Sequence, residues 1–182
     1  MHFSKWLLTP LGAVVLLAGM ASPVRAGLIL DTVHSAYLYP DTSTVYLDGG
    51  NQVVNPTASF TFFTGATNNF VTVSDTQMQF SWDVGTSKSG ATFNGIEVDI
   101  VGGSEPIIGV TIDPSSILPV GFDSSFVSFT GTTVYTNFAG LTVTSADNIV
   151  LDVSVAPEPS TFGLISLSIA AILLLRRLGR TA

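Results

Sequence analysis

The sequence predicts an all-β protein built as a single antiparallel β-sandwich, jelly-roll-like or Ig-like, over residues 27–156. Three observations support this. The stretch is rich in Thr, Ser, Val, Phe and Gly and poor in Ala, Leu, Lys and Glu, a composition that suits a half-buried pleated surface. Apolar and polar residues alternate in short runs, which is the period of a strand with one face buried. Turn-forming residues separate those runs at regular intervals, the punctuation of a sandwich or barrel. About 130 residues are enough for one hydrophobic core.

The elements follow in order. Leu28 to Val33 reads as a strand, and Tyr37 and Tyr39 share one face of a strand that Pro40 ends. Ala58-Ser59-Phe60-Thr61-Phe62 alternates Phe with hydroxyl residues. Phe70 to Val73 and Met78 to Trp82 continue the pattern, and Ile96 to Ile100 puts Glu97 and Asp99 on one face and three aliphatics on the other. Phe126 to Phe129, Leu141 to Val143 and Asn148 to Val155 complete the set. Expected turns are Asp48-Gly49-Gly50, Gly65, Asn68-Asn69, Gly85, Gly90, Asn94-Gly95, Gly102-Gly103, Asp113-Pro114, Gly131, Asn137 and Asp147-Asn148. Ser115 to Leu118 can make one helical turn. Roughly eight to ten strands are expected, with a core of Phe60, Phe62, Phe80, Trp82, Ile96, Val98, Ile100, Phe129 and Leu151.

Both ends differ from this body. His2 and Lys5 precede an apolar stretch from Trp6 to Met20, and Val24-Arg25-Ala26 follows. A charged start, an apolar middle and a small residue before cleavage make a secretory signal helix over 1–26. Cleavage falls after Ala26, leaving Gly27 as the first mature residue. An uncleaved anchor is the alternative.

At the other end, Pro157-Glu158-Pro159 fixes φ twice and removes two backbone donors. That segment cannot enter a sheet or helix and stays extended. Phe162 to Leu175 follows, 14 residues without charge, then Arg176, Arg177 and Arg180. As a helix those residues span roughly 21 Å, short of the about 30 Å of a hydrocarbon core. Flanking residues and snorkelling arginines narrow the gap, so 162–178 is a short transmembrane helix. Its basic end stays cytoplasmic and leaves the body outside. A buried core helix and an unprocessed anchor are the other readings of this run.

This tail of Pro-Glu-Pro, apolar helix and basic end resembles the PEP-CTERM sorting signal of Gram-negative bacteria, with Val155 to Ser160 and the Arg176-Arg177 pair carrying the likeness. The resemblance covers about a seventh of the chain. It implies an exosortase in the inner membrane as processing partner, transient anchoring there, delivery to the cell envelope or outside, and association with exopolysaccharide or biofilm matrix. It implies nothing specific for residues 27–156.

The formal charge is −7, but it is unevenly spread. Of 13 acidic residues only Glu158 lies outside the stretch from Gly27 to Ala156, and of six basic residues only Lys88 lies inside it, so that stretch carries −11. Such a body repels phosphate backbones, and nucleic acid is not an expected partner. The absence of cysteine removes thiol chemistry, Cys-based zinc sites and disulfides.

Catalytic inventory is thin, and no enzyme is expected. His34 is the one histidine left after signal removal, and it reads as an exposed strand-end residue. No Gly-x-Ser-x-Gly, His-Glu-x-x-His or phosphate-cradling Gly-x-x-x-x-Gly-Lys occurs. Glu97 and Asp99 lie about 7 Å apart by strand rise. They read first as a solvated strand face; alternatives are a weak calcium site with Glu105, or a glycosidase pair. Asp41 and Asp48 flank an expected hairpin loop. Tyr37, Tyr39, Tyr46 and Tyr135 read first as partly buried edge tyrosines; the alternative is stacking on sugars, with Tyr37 and Tyr39 foremost. No cofactor is expected. Two functions remain: a non-enzymatic surface or matrix protein, and a carbohydrate-binding module or simple secreted hydrolase in the same compartment.

Overall fold

Burial alternates along the strands because successive side chains of pleated backbone leave opposite faces. The computed structural model describes residues 27–102 and 105–156. The expected signal segment with its cleavage at Ala26, and the sorting tail with Pro157, Glu158, Pro159, Arg176, Arg177 and the span 162–178, lie outside the described residues.

Among the described residues the strands are β1 (Thr32–Leu38), β2 (Val45–Val53), β3 (Ala58–Thr64), β4 (Thr67–Val73), β5 (Gln77–Trp82), β6 (Thr86–Ser87), β7 (Gly95–Ile100), β8 (Ile107–Ile112), β9 (Val127–Phe129), β10 (Thr133–Asn137), β11 (Thr142–Val143) and β12 (Asn148–Val155). The protein is all-β, and the strand pairings are antiparallel. One five-stranded sheet has the order β2-β1-β7-β10-β9 and the other β3-β4-β5-β12-β8, while β6 and β11 form a separate two-stranded ribbon. The chain passes between the two large sheets from β2 to β3, from β7 to β8 and from β8 to β9.

The inner faces of both sheets meet in one core. Val33, Tyr37, Ile96, Val98, Ile100 and Val134 come from the first sheet, and Phe60, Phe62, Val71, Met78, Phe80, Trp82, Ile149 and Leu151 from the second. Phe138 closes one end of this core, edge-on to Phe80 at 6.2 Å and to Trp82 at 5.2 Å between ring centroids. Each large side chain so buried contributes about 1.5–3 kcal/mol over leaving it exposed. The β3–β4 hairpin is closed by Gly65-Ala66, between the paired Thr64 and Thr67. Gly65 has φ +75°, the sign that a tight hairpin turn demands of its first loop residue. Gly95 serves a different need: a Cβ there would collide with the Thr136 carbonyl oxygen on the neighbouring strand.

Several sequence expectations are corrected. Phe129 is 43 % exposed rather than core, because β9 is the last strand of its sheet. Asn68 and Asn69 lie inside β4 instead of forming a turn, and Asp48-Gly49-Gly50 lies inside β2, where the pairing with β1 shifts register. The strand expected from Leu28 begins at Thr32 and runs through Leu38. Ser115 to Leu118 forms no helical turn, because Ile117 pairs with Asn148 through both backbone hydrogen bonds; a separate 3-10 turn lies at Ser124–Phe126, capped by the Asp123 carboxylate, which accepts from the Ser125 backbone N–H. The strands that the alternation did not mark are β2, β6, β8 and β10, and β6, with two residues, is too short to display it.

Candidate functional site

At one end of the two sheets lies a cleft of about 270 Å³ lined by Tyr37, Tyr39, Tyr46, Lys88, Asn94 and the hydroxyl residues Thr64, Thr86, Ser87 and Ser89. Each element delivers its residues for a local reason. Tyr37 and Tyr39 are two apart at the end of β1, so they lean the same way. Tyr46 enters from the start of β2, and Thr64 from the tight hairpin after β3. Lys88 follows β6 and is held by its backbone: its N–H donates to the Leu141 carbonyl at 2.8 Å, and its carbonyl accepts from Gly140 at 3.1 Å.

Lys88 is the unusual member. It is 6 % exposed. Its Nζ donates to Asn69 Oδ1 at 2.6 Å and sits 5.6 Å from the centre of the Tyr37 ring. Asn69 Oδ1 also accepts from Trp82 Nε1 at 2.8 Å, while Asn69 Nδ2 donates to the Phe62 carbonyl at 2.8 Å and to Thr64 Oγ1 at 2.9 Å. This fully buried asparagine is therefore saturated by groups of β3 and β5 and by Lys88. Tyr37 OH donates to Asn94 Oδ1 at 2.6 Å, and Asn94 Nδ2 donates to the Ser89 carbonyl at 3.0 Å. No anion balances the lysine: among the described residues the ion pair found is His34–Asp48. Burial alone pulls the Lys88 ammonium down to a pKa of about 8. Burial, reinforced by Tyr46, pushes the Tyr37 phenol well above its usual range.

The sequence-expected sugar contacts divide. Tyr37 is 2 % exposed, in keeping with the partly buried reading, and forms the inner wall of the cleft. Tyr39 is half-buried, and Tyr46 is 56 % exposed. Tyr46 meets both others edge-on, at 6.4 Å from Tyr37 and 6.4 Å from Tyr39. Tyr135 stands apart, packed edge-on against Phe93 at 6.1 Å.

The carboxylates lie on the other face of the first sheet. Glu97 and Asp99 flank Val98 on β7, both half-buried. Asp99 accepts from Thr133 Oγ1 at 2.7 Å, and Tyr135 donates its hydroxyl to Glu97. Burial raises the Glu97 pKa, against the lowering effect of that hydrogen bond. Glu105 lies in the connection before β8, and among the described residues no three His, Asp or Glu side chains gather as a metal ion requires. His34 is not a strand-end residue: it sits within β1, with Nε2 2.9 Å from Asp48 Oδ1. Asp41 accepts from the Ser43 N–H and hydroxyl in the β1–β2 loop, which holds its carboxyl below the usual range.

A second hollow of about 190 Å³ is lined by Val110, Thr111, Ile112, Ser124, Val127 and Phe129. It contains no titratable group, so the tyrosine cleft carries the chemistry. Sequence reading missed Lys88 and Asn69 as site residues. The available signal was Lys88 itself, one cation among twelve carboxylates. Comparison of the chain with protein-family models, with curated proteins and with solved structures found no match.

Proposed function

We propose that the chain is an exported cell-surface or extracellular-matrix protein, sorted and processed by an exosortase through its C-terminal tail and associated with exopolysaccharide or biofilm. The observation that carries this is the charge map: five of six basic residues lie in the two apolar ends and one in the acidic body. Positive flanks orient apolar segments in a membrane, and the acidity of the body keeps it soluble. The Pro157-Glu158-Pro159 segment is the part of the tail that the processing enzyme would act on. We read the two five-stranded sheets as one sandwich of the jelly-roll or Ig-like kind, since the chain alternates between them. Mass spectrometry of the protein from its native host tests the sorting step. The mature form should lack residues beyond the Pro-Glu-Pro region; recovery of intact Arg180 on it refutes processing.

A second reading, a carbohydrate-binding module in the same compartment, is favoured by one observation: three tyrosines and four hydroxyl side chains line a single cleft. Aromatic faces and hydroxyl donors together match the two sides of a sugar ring. Neither a carboxylate nor a histidine lines it, so the lining supports binding rather than glycoside hydrolysis. Pull-down of the protein on polysaccharides, with Tyr39→Ala and Tyr46→Ala as controls, tests this reading. Retention lost in both variants supports it, and no retention on any glycan refutes it.

A further inference from the structure

We propose that the tyrosine cleft recognises a saccharide bearing one carboxylate, a uronic acid unit, with the carboxylate on Lys88 and the sugar ring against Tyr46 and Tyr39. This rests on the glycan-binding reading and adds the charge that the ligand carries.

Among the described residues Lys88 forms no ion pair. A buried ammonium is normally paired with an anion, because desolvation is costly and only a close opposite charge offsets it. Lys88 is 6 % exposed, and its near partners are the neutral Asn69 amide and the Tyr37 ring. An ammonium has three N–H donors. One reaches Asn69, and the lysine lines the cleft wall. A ligand carboxylate entering the cleft meets the remaining donors in a partly dehydrated setting, where pairing is stronger than in water.

Size and lining narrow the class. At about 270 Å³ the cleft falls just below the about 300–1,000 Å³ typical of drug-sized sites. That suits one pyranose unit. Tyr46 offers an exposed ring at the mouth, and Thr64, Thr86, Ser87 and Ser89 offer hydroxyls to a polyhydroxylated ligand. A phosphate is a poorer match, since phosphate sites commonly use arginine forks or several donors around a double charge. The −11 of the body also works against a densely anionic polymer. An isolated uronate within a largely neutral glycan escapes most of that repulsion and still finds the one cation.

Calorimetric titration of the protein recovered from its host, with methyl glucuronoside, methyl glucoside and inorganic phosphate, tests this. Methyl glucuronoside should bind at least about tenfold more tightly than methyl glucoside. Lys88→Met should weaken it on the order of thirtyfold or more, and Tyr46→Ala should weaken both sugars. Binding of the glucuronoside should also fall as pH rises past about 8, where Lys88 loses its proton. The other titratable groups lining the cleft are the phenols of Tyr37, Tyr39 and Tyr46. Equal affinity for both sugars, unchanged in Lys88→Met, overturns the uronate assignment and leaves glycan binding standing. No binding of either sugar overturns both. Phosphate binding as tight as the glucuronoside overturns the saccharide assignment.

Discussion

The Lys88 ammonium and the Trp82 indole N–H converge on one oxygen, Asn69 Oδ1, at 2.6 and 2.8 Å. The core thus ends in a polar knot rather than in more hydrocarbon, and a cation is kept there with no counter-charge among the described residues. A buried unpaired charge subtracts from stability. Natural sequences tolerate such costs most readily where a site needs them.

Lys88→Met should therefore fold, and at pH 7 should be as stable as the parent or more so. Urea denaturation of parent and variant measures this. A loss of more than about 3 kcal/mol would mean that the ammonium is holding the fold together as part of a buried pair.

The pH dependence has a definite sign. The folded pKa of Lys88 is about 8, below its ordinary value of 10.5. Between those values the unfolded chain binds the proton and the folded chain does not, so stability rises with pH across that window. The gain approaches about 3 kcal/mol. It should appear as the difference between parent and Lys88→Met, because the raised Tyr37 pKa acts in the opposite sense above pH 10 and is common to both. A flat difference profile rejects the depressed lysine.

Asn69→Ala should be far more damaging than Lys88→Met. It orphans Trp82 Nε1 and leaves the Phe62 carbonyl and the Thr64 hydroxyl without their donor. About 2–5 kcal/mol should be lost. Thermal unfolding of the two variants side by side checks the order.

Gly95→Ala should cost about 1–3 kcal/mol, since its methyl group must push β7 away from Thr136 on β10. The neighbouring Glu97→Gln is the contrast. Burial raises the Glu97 pKa, so its charge opposes folding at neutral pH, and the glutamine should be tolerated. Equal losses at the two positions would contradict this placement of the strands.

Legibility in the sequence followed physical period. Phe60 and Phe62, Phe80 and Trp82, and Ile96, Val98 and Ile100 alternate with polar residues, so their inward facing was readable at once. Asn69 was misread because its β4 neighbours Asn68 and Phe70 give no clean apolar alternation, and paired asparagines favour turns. Its burial depends on Trp82 and Lys88, 13 and 19 residues away. The cleft likewise gathers tyrosines from β1 and β2 with hydroxyls from loops that meet only through sheet pairing. Tyr37 and Tyr39 were readable as a same-face pair, but which of them faces water was not, since Tyr37 is sealed by Asn94, 57 residues on.

A titration of the Lys88 side chain by nuclear magnetic resonance goes to the centre of the account. The chain has two lysines, Lys5 and Lys88, so assignment is direct with a Lys88→Met reference. A midpoint near 8 is expected for Lys88 in the ligand-free protein. A midpoint at the ordinary 10.5 would show a solvated or paired ammonium and remove the basis for the cleft as an anion-seeking site.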